Sequence, residues 1–333
     1  MGFNIEKKSL ILGVVAGFFV AMLIFCIIWL FIENQGLLKT NEELYKQIEL
    51  KQINEIPLTI IKDSTIKHDE EIVYEEFPKH EEEAIATTAK EDISLYEKNK
   101  QSIILNPQKV KIAIIIDDIG VHKENSFYSA DNLPKEITFS YLPYGQNTQK
   151  IIKQELEKHR EAMLHLPTEP VSSIDPGPNA LFADMSDAKI EQLTYHNLNQ
   201  VLDYIVGVNN HMGSKFTANQ HDMEQILKVI DKNKLFFLDS FTTAKTKSRE
   251  AKNSVAPNMP LLRRNIFLDH KRTKEFIYKQ LIKAENIAQK RGFAIAIGHP
   301  HKITTDTILQ WTKTLNQKGI QLVPITSILE LQK

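Results

Sequence analysis

Cysteine is almost missing from this chain: Cys26 is the single thiol in 333 residues. That excludes an intramolecular disulfide and any cysteine-based zinc cluster. A thiol-poor chain suits the periplasm or the outer surface, and fits the cytosol equally well. There is no glycine-rich phosphate loop, and no Gly-x-Ser-x-Gly elbow to carry a serine nucleophile. No short-period repeat is visible. An excess of one charge is missing too: 41 Lys and Arg stand against 42 Asp and Glu, a net charge of −1. With no basic domain or stripe, nucleic acid is not an expected partner.

What the chain does have is one long apolar run. Leu10 to Ile32 is 23 residues without a charge. As a helix at ~1.5 Å per residue it reaches roughly 35 Å, enough to span the hydrocarbon layer. No small-x-small cleavage site follows it, Phe25-Cys26 lacks the small residue expected before a lipoprotein cysteine, and Glu6 stands where a myristoylation signal needs Ser or Thr. The expectation is an uncleaved single-pass anchor in the inner (cytoplasmic) membrane. Lys7 and Lys8 put residues 1–9 inside, and everything after Glu33 lies in the periplasm or beyond.

Residues 33–106 read as a polar, acidic stalk, partly helical or disordered. Leu37, Leu44, Ile48 and Ile56 support a marginal helix ended by Pro57. The stretch 69–92, with Glu70-Glu71, Glu75-Glu76 and Glu81-Glu82-Glu83, lacks the apolar density for a core. It reads as a tether, or as a docking site for a cell-wall protein partner.

From residue 107 to 333 apolar runs alternate with helical segments, and each run stops on polar groups able to do chemistry. Ile112–Ile116 ends in Asp117-Asp118, Ala162–Leu164 in His165, and Ile205–Val208 in Asn209-Asn210-His211; Leu235–Leu238 ends in Asp239-Ser240 and Ala294–Ile297 in Gly298-His299-Pro300-His301. Such runs read as strands buried on both faces of a parallel sheet, with function collected at their carboxyl ends. Seven or eight β/α units predict an α/β fold, an irregular (β/α) barrel. Thr217 to Gln220 has the form of a capping box, Gly292 of a left-handed helix stop, and Ile320 to Ile325 of a last strand.

Carboxylates and imidazoles at strand ends suggest a metal-dependent hydrolase. Adjacent acids on a strand point to opposite sides, so Asp117 and Asp118 would divide the work, one binding the ion and the other polarising water. His165, His211, His299 and His301 are each a candidate ligand or general acid. Glu169 could face the same centre as His165, or close a turn. Asp239 is suited to orient a catalytic or ligating histidine. Arg263-Arg264 reads as a solvated pair, or as a grip on an anionic polymer. The remaining histidines of this region, His122, His159, His196, His221 and His270, read as surface residues.

Taken together, Ile-Ile-Asp117-Asp118-Ile-Gly120, Leu164-His165-Leu-Pro-Thr-Glu169-Pro170, Asp175-Pro-Gly-Pro178, Asn209-Asn-His211-Met-Gly-Ser214, Phe237-Leu-Asp239-Ser240 and Ile297-Gly-His299-Pro300 resemble the divergent polysaccharide deacetylase family. The resemblance covers residues 108–330. It implies an irregular barrel related to metal-dependent carbohydrate esterases. It also implies roles: Asp117 as base, Asp118 as metal ligand, His165 and His211 as further ligands, and His299 as acid, for which Asp239 is the expected orienting partner. The family pattern has a second histidine where this chain has Glu169, and an acid where it has Asn265. A divalent metal is implied, zinc first, with nickel or cobalt suited to the same donors. The implied reaction is removal of acetyl groups from an envelope polysaccharide or peptidoglycan-like glycan. A non-catalytic barrel that binds glycan or a cell-wall partner is the rival, favoured by Glu169.

Overall fold

The computed structural model describes residues 95–331; the expected anchor, 10–32, and the stalk up to residue 94 lie outside the described residues. No helix of the described residues is long and apolar enough to cross a membrane.

The isoleucine-rich strand β1 (Val110–Ile119) is buried on both faces from Lys111 to Asp117. A strand with no polar face must be covered on both sides, which a parallel sheet with crossover helices achieves. All strand pairs here are parallel: β2 (Thr138–Tyr141), β3 (Ala162–Thr168), β4 (Ile205–Met212), β5 (Phe236–Asp239), β6 (Leu261–Arg263), β7 (Ile266–Phe267) and β8 (Phe293–Gly298) run in the order β6-β5-β4-β3-β2-β1-β8-β7. The edge strands β6 and β7 are separated in the chain only by Arg264-Asn265. The sheet therefore curls until its edges approach, a barrel with one seam that carries no strand pairing. A ninth strand, β9 (Ile320–Leu322), pairs with the amino end of β1, where β2 has not yet begun.

Side-chain alternation sorts the strand residues into two cores. Ile112, Ile114 and Ile116 face outward and pack in one cluster with helix residues. Ala113, Ile115, Met163, Val206, Phe236, Leu238, Ile295 and Ile297 fill the interior. The helix Ile325–Glu330 closes the amino end, joining Ile325, Ile328 and Leu329 to that interior cluster, with Ile103 and Leu105 against it. With the floor sealed by apolar groups, the open end of the barrel is the carboxyl end of the strands.

Three local expectations are corrected. The last strand stops at Leu322, and Ile325 instead starts a helix behind Pro324. The helix Gln220–Lys232 is capped by Asn219, whose side chain accepts from the His221 and Asp222 amides; the Thr217 hydroxyl donates to Gly213 O. Residues 97–106, assigned by composition to the stalk, dock on the barrel: Asn99 Nδ2 donates to Ile205 O at 3.0 Å and the Gln101 amide to Glu161 Oε1 at 2.9 Å. Gly292 stops the helix Lys274–Arg291 at φ +84°, as expected.

Candidate metal centre and active site

Each interior stripe ends, at the top of its strand, in a polar group. Ala113 and Ile115 lead to Asp117, Met163 to His165, Leu238 to Ser240, and Ile295 and Ile297 to His299. Asn209 pairs with His165 in the ladder and lies in the same interior layer. Its Nδ2 donates to both oxygens of Asp117, at 3.0 and 3.1 Å, and to Ser240 Oγ at 3.0 Å. Its Oδ1 accepts from Ser140 Oγ and from His165 Nδ1, the latter at 3.2 Å. Fully buried Asn209 thus fixes the base candidate and the ring orientation of His165 together, with Nδ1 as donor and Nε2 directed into the site. Asn209 opens the Asn209-Asn-His211 motif, and nothing in the sequence alone marks it for this role.

Asp118 breaks the alternation. Its φ is +59°, a left-handed conformation that Asp tolerates better than most residues. The expected opposition of the two acids is therefore corrected, because both carboxylates face His165 Nε2, Asp117 Oδ2 at 3.6 Å and Asp118 Oδ1 at 3.3 Å. His211 Nδ1 lies 3.1 Å from Asp118 Oδ1 and 3.1 Å from His165 Nε2. Asp118 Oδ1 is buried and no hydrogen bond satisfies it.

One carboxylate oxygen and two imidazole nitrogens thus form a triangle with sides of 3.3, 3.1 and 3.1 Å. Donors held about 2.0–2.1 Å from a tetrahedral zinc stand about 3.3 Å apart, so Asp118, His165 and His211 fit a divalent cation. Burial opposes charging His165, but the Asp117 charge and the contact with Asp118 outweigh it and hold this imidazole above its ordinary range. Burial pushes Asp118 up, while the two imidazoles more than reverse that and hold it far below the carboxylate range. Burial raises Asp117, against the pull of His165 and His299, so it is the more basic carboxylate of the pair.

His299 is held by Asp269, which corrects the expected partner Asp239. The His299 Nδ1–H donates to Asp269 Oδ1 at 3.0 Å, and the His299 amide to Asp269 Oδ2 at 2.7 Å. Thr304 Oγ1 completes the clamp at 2.9 Å. Burial lowers His299, but the bond and charge of Asp269 and the charges of Asp118 and Asp117 raise it to about 9. Its Nε2 points into the site, 3.7 Å from Asp118 Oδ2. Asp239 faces the other way because it lies between interior Leu238 and interior Ser240. Its oxygens accept from the Phe241 amide and from Thr246 Oγ1, at 2.8 and 2.9 Å. Asp269, two residues beyond the short strand β7, carries no sequence signal that singles it out, whereas strand alternation is a signal against Asp239.

Glu169 does not reach the triangle. Its carboxylate accepts from the Ala183 amide at 2.8 Å and from Lys215 Nζ at 2.9 Å, tying down the loop that follows β3. His301 lies beyond His299, with ring centroids 6.0 Å apart, at the start of the helix Lys302–Thr312. Of the arginine pair, Arg264 is structural, its Nε and Nη2 donating to Ser240 O and Phe241 O at 2.6 and 2.9 Å, while Arg263 is exposed as expected and stacks on the Phe241 ring at 3.3 Å. They brace Phe241 at φ +51°, a strained conformation for an aromatic residue. Above the triangle opens a cavity of about 420 Å³, walled by Met212, Phe241, Phe267 and Ile297 as well as the polar groups.

Comparison with known proteins places this architecture. The model of the divergent polysaccharide deacetylase family matches residues 114–329. The uncharacterized protein YibQ of Escherichia coli K12 is 33% identical over 221 residues, 66% of this chain and 67% of that protein. An uncharacterized protein of Haemophilus influenzae Rd is 33% identical over 224 residues, 67% of this chain and 78% of its own length. The crystal structure of an uncharacterized protein from Agrobacterium tumefaciens C58 superposes with a TM-score of 0.66 at 23% identity, over 71% of this chain and 95% of that one. The chain belongs to the divergent polysaccharide deacetylase family.

Proposed function

We propose that this protein is a metal-dependent hydrolase that removes acetyl groups from an envelope polysaccharide. The observation that carries the reading is the triangle of Asp118, His165 and His211, flanked by Asp117 on one side and by His299 on the other. A divalent cation held there, zinc by preference for mixed N/O donors, supplies Lewis-acid polarisation of a carbonyl and of an attacking water. Asp117, raised by burial and held by Asn209, takes a proton from water as the new C–O bond forms at the acetyl carbon. His299, kept protonated by Asp269, gives its Nε2 proton to the departing amine or alkoxide as the C–N or C–O bond breaks. Acetate and the free amino or hydroxyl sugar are the products.

Glu169 in place of a second histidine favours a non-catalytic binding barrel in sequence. That argument weakens once Glu169 is engaged with Ala183 and Lys215 while His211 supplies the third donor. The test is elemental analysis of the purified protein followed by acetate release from acetylated glycans and model esters. Metal near one equivalent together with acetate release is the expected result; a metal-loaded protein that releases none overturns it. The envelope setting rests on residues 10–32: the full chain should sediment with membranes and a chain lacking residues 1–32 should not.

A further inference from the structure

Beside the candidate site, on the His299 side, lies a second cavity of about 310 Å³ that shares Asp118, Phe267 and His299 with it. Besides Asp269 and Pro300, the rest of its wall offers N–H donors: His122, Asn125, His270, His301 and Arg272, the last a permanent cation. The carboxylates in the wall are already engaged, Asp269 with His299 and Thr304, and Asp118 in the triangle. Among the described residues no carboxylate pairs with Arg272, so its guanidinium is available as a planar fork.

His122 and His270 are exposed, as the sequence predicts, and both stand at the rim of this cavity. His270 sits between the Phe267 and Phe276 rings, with centroids 6.5 Å from each. His122 and His301 occupy the N-cap positions of the helices Lys123–Asn132 and Lys302–Thr312, yet neither side chain makes a capping hydrogen bond. Both residues line the cavity, at the amino ends of those two helices, whose dipoles favour an anion there. Phe267 is the common wall, its ring edge to face with His299 at 5.5 Å. A group in this cavity is therefore one side chain away from the proton that would be given to the leaving atom.

We propose that this cavity is a subsite for a carboxylate on the glycan, so that the substrate is an acidic polysaccharide whose carboxylate lies on or next to the acetylated sugar. Arg272 takes the carboxylate through its fork, and His270 and His122 donate to it from either side. The inference rests on the hydrolase reading for the word substrate, but the subsite can be tested without turnover. Uronates and lactyl ethers on amino sugars both present such a group.

The experiment is calorimetric binding of three oligosaccharides of equal length and without acetyl groups: one with uronate, one with a lactyl ether and one neutral. The full chain is compared with Arg272→Gln, Arg272→Lys and His270→Gln. One or both acidic ligands should bind more tightly than the neutral one, and which of them does identifies the sugar class. Arg272→Gln should weaken that ligand about ten- to a hundred-fold, with partial rescue by Arg272→Lys and no effect on the neutral ligand. Equal binding of all three ligands, or indifference to Arg272→Gln in a folded variant, overturns the subsite. Arg272-dependent binding by a protein that releases no acetate leaves the subsite standing while the hydrolase reading fails.

Discussion

Asp269 holds His299 twice, with one oxygen on the ring Nδ1–H at 3.0 Å and the other on the backbone amide at 2.7 Å. The backbone contact fixes where the imidazole starts, and the ring contact fixes which nitrogen is free. The same carboxylate is a main cause of the His299 pKa standing near 9 instead of the ordinary 6.5. A raised histidine stabilises the fold while protonated. Its contribution is fully present below about 6.5 and is lost as the pH rises through about 9. Asp269→Asn should therefore move the alkaline limb of the kcat/KM profile downward toward the ordinary histidine range. An alkaline limb that does not move would show that Asp269 does not set the protonation of His299.

Asp239→Ala supplies the contrast. Because Asp239 faces Thr246 and the Phe241 amide rather than His299, the alkaline limb should stay where it is. The melting temperature should fall, since a half-buried amide and hydroxyl lose their acceptor, at a cost below the about 1–3 kcal/mol of a fully buried group left unpaired. A shift of the pH profile equal to that of Asp269→Asn would restore the partner expected from sequence.

The barrel and most of its site could be read from the chain because they rest on short-range patterns. An apolar run ending in a polar group marks a buried strand and its carboxyl end, and Asp117, His165, His211 and His299 all follow from that rule. The two misplacements have different causes. Choosing Asp239 ignored the period of two, which places it on the opposite face from Leu238 and Ser240. The joint facing of Asp117 and Asp118 depends on a positive φ at Asp118, a backbone choice that side-chain alternation does not report. Asp269 follows the two-residue strand β7, too short to announce itself by periodicity. The docking of residues 97–106 was hidden because their partners, Glu161 and Ile205, are far away in sequence.

Asn209 is the residue on which the site's preorganisation depends. Asn209→Ala removes the donor shared by both Asp117 oxygens and the acceptor that fixes His165 Nδ1–H. Metal affinity should fall about 10- to 100-fold, as it does when a partner that orients a ligand is lost. Metal titration of the folded variant measures this. Wild-type affinity in Asn209→Ala would mean that strand packing alone sets the orientation of His165.

A chain starting at residue 95 should be more stable than one starting at residue 107. The shorter chain loses the Gln101 amide that donates to buried Glu161, whose pKa burial raises to about 7 even with its donors from Thr326 and Gln101. It also loses Ile103 and Leu105, which seal the barrel floor. Thermal melts of the two chains decide the point, and equal melting temperatures would return residues 95–106 to the stalk.

The paired aspartates separate holding a metal from moving a proton. Both lie against His165 Nε2, at 3.6 and 3.3 Å, so distance alone does not assign them. Their other contacts do. Asp117 accepts two hydrogen bonds from Asn209, whereas Asp118 Oδ1 is buried, has no donor and faces two imidazole nitrogens. Asp118→Asn should therefore lose metal, because it removes the charge that offsets a dication, and His211→Ala should lose it with a ligand atom. Asp117→Asn should keep metal and lose about 10²- to 10⁴-fold in turnover, the usual worth of general-base help. Elemental analysis and acetate release on the same preparations read the two effects apart. Metal loss confined to Asp117→Asn would reverse the assignment within the pair, and full retention in both Asp118→Asn and His211→Ala would remove the centre altogether.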